Sequence, residues 1–70
     1  MKRQALEFVV DTRVRSLVEA RVRQAAGDAL ARLTVAPVDG TPRYKITALV
    51  GDAAAPAVMR AVMNALDGKG

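Results

Sequence analysis

Seventy residues carrying 11 basic and 7 acidic side chains, with no cysteine and no histidine, exclude a disulfide framework and the usual zinc arrangements. A chain this short buries only about 60% of its unfolded surface on folding. Fourteen of its apolar residues are alanine, so few larger side chains are left for a core, and oligomerisation is a common remedy. A homo-oligomer or a subunit bound to a protein partner is therefore expected. The opening MKRQALEFVVD breaks its apolar run with Glu7 and Asp11, unlike a secretory signal. No uncharged stretch is long enough to span a bilayer, which predicts a cytoplasmic protein with no membrane association.

Leu6, Phe8, Val10, Thr12 and Val14 alternate with Glu7, Val9, Asp11, Arg13 and Arg15. Period two over ten residues predicts a strand at 5–14 with its even positions inward. A single helix from Lys2 to Leu33 is the competing reading, but it puts Val9 opposite the apolar stripe and Arg15 within it. Next, Ser16 and Glu19 stand in the S-x-x-E spacing of a capping box. From there Val18, Val22, Ala25, Ala29 and Leu33 form one helical stripe, which predicts a helix over 16–33 with a basic rim. Ala20, Gly27 and Ala31 would make a small-residue ridge on its outer side.

In TVAPVDGTPRYKITALVG, Asp39 and Gly40 are a strong hairpin signal. Taken as the two central turn residues, they pair strands 34–38 and 43–50, with Val35 facing Tyr44 and Leu33 facing Ile46. Gly51 ends the second of these strands. A second helix starts between Asp52 and Pro56, with Asp52 able to cap it, and Gly68 ends it. Its apolar arc is broad, with Val58, Val62 and Ala65 central and Met59, Met63 and Leu66 on one flank, which predicts cover on more than one side.

Residues 1–70 thus read as a single small α+β domain of order β-α-β-β-α. This is ferredoxin-like topology lacking the last strand: an antiparallel three-stranded sheet with two helices on one face. The first strand is then an exposed edge. The same order predicts that Arg13, Arg15, Arg43 and Lys45 gather on the open sheet face, a candidate contact for an anion or nucleic acid.

Enzymatic chemistry is not expected. Histidine is absent, Ser16 is explained as a cap, and the glycines form no phosphate-binding fingerprint. No cofactor and no metal site is expected either. The leading expectation is a small basic protein-interaction module, with Val9, Ala20, Gly27, Ala31, Met59 and Met63 as candidate interface. The alternative is nonspecific nucleic-acid binding through phosphate contacts. Phe8 and Tyr44 are both assigned inward, which removes the base-stacking platform of a sequence-reading binder.

Overall fold

The computed structural model describes residues 2–68. It forms a three-stranded antiparallel sheet in the order β1-β3-β2, flanked on one face by two helices in β-α-β-β-α succession. The strands are β1 (Arg3–Asp11), β2 (Leu30–Val38) and β3 (Arg43–Gly51), and the helices are α1 (Arg15–Ala26) and α2 (Ala55–Leu66). This is the expected ferredoxin-like arrangement without a final strand. The alternation along β1 holds: Leu6 and Val10 are buried, Phe8 packs against the core, and Val9 is 55% exposed.

The core lies between the sheet and the helices. Ile46, Ala48 and Val50 of β3 meet Val18 and Val22 of α1 and Val58 and Val62 of α2, all 1% exposed or less. No polar or charged residue is buried among the described residues. Stability therefore rests on apolar burial in a thin body, the Cα atoms spanning 37 × 26 × 14 Å.

Several local expectations are corrected. The first helix does not begin at a Ser16–Glu19 capping box. A 3-10 turn at Thr12–Val14 precedes it, and the Asp11 carboxylate accepts from the Arg13 amide at 3.0 Å. The helix then starts at Arg15 with Val14 as an uncapped entry, so the first strand stops at Asp11 and Thr12 and Val14 leave it. Nor does the helix run to Leu33. It ends at Gly27, whose φ of 52° and ψ of −128° few residues other than glycine adopt, and a 3-10 turn at Gly27–Ala29 leads into β2. Leu30 and Leu33, which fit the helical stripe by spacing, sit instead on the inward side of β2, across an irregularity between Leu30 and Arg32. Pairing along the whole of β3 outweighs helical periodicity in a segment that satisfies both patterns.

The hairpin register is offset by two. Val38 pairs with Arg43, Pro37 with Tyr44 and Val35 with Ile46, so the connection is Asp39–Pro42 rather than Asp39-Gly40 alone. A two-residue type I′ turn needs positive φ at both central residues, and only Gly40 has it, at 75°. The Thr41 amide and hydroxyl both donate to the Val38 carbonyl, at 3.2 and 2.9 Å. The Pro42 carbonyl turns away from β2 and accepts from both the amide and the hydroxyl of Thr12, each at 2.9 Å. This clamp joins the hairpin tip to the end of β1. Thr12→Val keeps the shape and removes one donor, and should cost about 1 kcal/mol, a fall in Tm of roughly 4–8 °C; an unchanged Tm in thermal circular dichroism would deny the clamp a role.

At the second helix, Asp52 does not serve as cap. A 3-10 turn at Asp52–Ala54 leads into α2, whose N-cap is Ala54 with no side-chain bond and whose first turn contains Pro56. Gly68 closes the helix with φ 75°, its amide donating to the Ala65 carbonyl at 3.2 Å.

Candidate functional site

Three surface regions could carry function, and the structure distributes the expected residues unevenly among them. The first is the open face of the sheet. Arg43 and Lys45 project there from β3 opposite Asp11 and Val9 of β1, and Arg13 lies close by in the 3-10 turn. Arg15 does not join them. It stands on the helix side, its guanidinium 4.7 Å from the centre of the Tyr44 ring and its Nε 3.2 Å from Glu19 Oε2. Arg15 thus covers an inward-facing aromatic ring and takes the carboxylate that a capping box would have used.

The remaining corner is largely neutralised. Lys45 Nζ lies 3.3 Å from Glu7 Oε2, and Arg13 Nε lies 3.6 Å from Asp11 Oδ1. These are exposed pairs of small energetic worth. Their consequence is electrostatic: Arg13, Arg43 and Lys45 are set among two carboxylates, so the corner carries about one net positive charge instead of four. Phe8 and Tyr44 face the helices, so no aromatic side chain stands beside these cations.

The second region is a groove of about 960 Å³ at the end of the sheet away from the hairpin tip, between Lys2, Arg3, Asp28, Ala31 and Asp52. Its walls come from the repeated tripeptide Gly-Asp-Ala at 27–29 and 51–53, whose second copy is anchored by the Asp52 amide donating to the Lys2 carbonyl at 3.0 Å. Two cations and two carboxylates line it. No group of three or more acidic, histidine or cysteine side chains suited to a metal is present among the described residues.

The third region is the outer flank of α2. Met59, Met63 and Leu66 recur at i, i+4 and i+7 and are 46%, 61% and 49% exposed. The cover expected on that side is missing. The reason is positional: α2 packs beside α1 and over β1, one of the sheet's two edge strands. With a right-handed crossover, its Ala61 and Ala65 side turns toward α1, and the Met59–Met63–Leu66 side turns outward past β1. The described residues hold no strand beyond β1, so nothing lies beneath this flank. Val9 is on the same edge, on the opposite sheet face. The small-residue ridge is not formed, because Ala20 is in α1, Gly27 lies in the turn after it, and Ala31 is in β2.

Leu66, Arg60 and Asp67 are the members of this region absent from the sequence-based candidates, although the i, i+4, i+7 spacing points to the first. No described helix is long and apolar enough to cross a membrane. Comparison of the chain with protein-family models, with curated proteins and with solved structures finds no match.

Proposed function

We propose that this chain is a cytoplasmic, non-catalytic protein-interaction module that works assembled, as a homo-oligomer or a subunit of a larger complex, and makes contact through the outer flank of α2. The observation that carries this reading is the contiguous stripe of Met59, Met63 and Leu66, each about half exposed, on a helix overhanging a free strand edge. Monomers normally keep such patches small, and methionine suits adaptable contact surfaces.

Nonspecific nucleic-acid binding through Arg13, Arg43 and Lys45 is the lesser reading, because two of the three lie within 4 Å of carboxylates and no aromatic platform accompanies them. Solution mass by light scattering, at low and high salt and with and without a short DNA duplex, separates the two. An oligomer that survives high salt and ignores the duplex is the expected result. A monomer whose mass rises only with duplex at low salt would replace this reading with the phosphate-binding one.

A further inference from the structure

Resting on the assembly reading above, we infer that the partner covering α2 is a second copy of this chain, its own α2 lying antiparallel across a two-fold axis at Met63. The charge pattern points to this occupant. Within α2 and its C-cap the charged residues are Arg60 and Asp67, of opposite sign and seven positions apart. At 3.6 residues per turn they fall on one side of the helix, within about 20° of each other, and that side borders the apolar stripe.

A two-fold axis at Met63 then matches every member of the region at once. Met63 meets Met63 of the second copy. Met59 meets Leu66, and Arg60 meets Asp67, each twice because the contact is isologous. The midpoints of these three pairings each lie within half a residue of Met63. A parallel arrangement would instead set Arg60 against Arg60 and Asp67 against Asp67. It would also align the two helix dipoles, which the antiparallel arrangement opposes favourably.

Two other occupants fit less well. A foreign strand laid along the β1 edge would cover Met59 and Leu66 but leave Met63, the most exposed of the stripe at 61%, outside its contact. Edge-to-edge pairing of two β1 strands would force both α2 helices over the same pair of strands. Charged side chains at Arg3, Glu7 and Asp11 also blunt that edge. Side-by-side helices avoid the overlap and leave the two β1 edges apart. A helix of 12 residues is only about 18 Å long, so the contact is smaller than a standard interface and the dimer is of micromolar strength or weaker.

The test is sedimentation velocity on the full chain from about 10 µM to about 1 mM, the range in which so small a contact should dissociate, with far-ultraviolet circular dichroism to verify that each variant is folded. Met63→Glu places a charge at the axis and should raise the dimer Kd by more than roughly tenfold. Arg60→Asp alone and Asp67→Arg alone should each raise it by roughly three- to tenfold. The double variant R60D/D67R should return to within about twofold of the parent. An equally tight dimer in Met63→Glu would overturn this interface while leaving assembly through another surface standing. Single charge variants without effect, or a double variant that is not rescued, would overturn the antiparallel arrangement. A parent chain that stays monomeric over the whole range would overturn both this inference and self-association itself.

Discussion

Ile46→Ala should leave this protein unfolded or nearly so at 37 °C. Ile46 is 0% exposed and sits at the middle of β3, paired with Phe8 on one side and Val35 on the other. Truncation of a buried isoleucine to alanine costs about 2–5 kcal/mol, more when the surroundings cannot close over the void. Here they are hydrogen-bonded strands on both flanks and two helices above, so the upper part of that range applies. A 70-residue chain has only roughly 3.5–10 kcal/mol to lose. Thermal denaturation followed by circular dichroism should show a fall in Tm of at least about 15 °C. Val9→Ala, on the exposed face of the edge strand, is the control and should stay within about 0.5 kcal/mol of the parent. If Ile46→Ala shifted Tm no more than this control, β3 could not be the centre of the sheet.

The second large effect comes from the repeated Gly-Asp-Ala, where one substitution made in each copy should have opposite consequences. Gly27 holds φ 52° and ψ −128°, and a Cβ built there meets nothing within 4 Å. Gly27→Ala therefore carries no steric clash with neighbours and shows the backbone penalty alone, about 2 kcal/mol. Gly51 holds φ −58° and ψ 142°, and its Cβ would touch Ala29 Cβ at 3.6 Å, an ordinary contact. Gly51→Ala should be neutral or stabilising by up to about 1 kcal/mol, because alanine restricts the unfolded chain. Urea denaturation of the two variants beside the parent reads both signs. A Gly51→Ala variant as damaged as Gly27→Ala would mean that space, not φ, governs these turns.

The contrast between those two glycines shows where sequence reading succeeds and where it stops. Period-two alternation from Leu6 to Val10 identified a strand and its buried face, because one-sided burial leaves that pattern directly in the chain. Helix α2 was equally legible, with Pro56 near its start, Gly68 past its end and Val58, Val62 and Ala65 on its buried side. The end of α1 was not. Leu30 and Leu33 satisfy a helical stripe and a strand alternation alike, and only the pairing of β2 with eight residues of β3 chooses between them. The glycine at position 27 was the available signal, and the continuing periodicity concealed it.

The candidate site divides in the same way. The exposed methionines on α2 were legible as a flank, since spacing alone places them together. Their lack of cover was not, because it depends on which helix overhangs which strand. The alternation continues three residues past Asp11 in the sequence, and only a strand of that length would put Arg15 on the open face. Ending the strand at Asp11 and passing through a 3-10 turn carries Arg15 to the other side of the sheet, onto Tyr44. The fate of the basic corner thus turned on a boundary error of a few residues, which periodicity cannot resolve.

The two-residue offset of the hairpin has a bearing on how this fold tolerates change. Moving the partner of Val35 from Tyr44 to Ile46 alters every pair between β2 and β3, yet no side chain changes faces, because the alternation of a strand repeats every two residues. Insertions or deletions of two residues at the tip between Val38 and Arg43 are absorbed in the same manner. One residue gained or lost would turn Leu33 and Val35 out to solvent, or demand a compensating bulge. Length variation at this tip should therefore come in even steps, and the Thr12 clamp on Pro42 sets how far such a loop can extend before it loses its hold on β1.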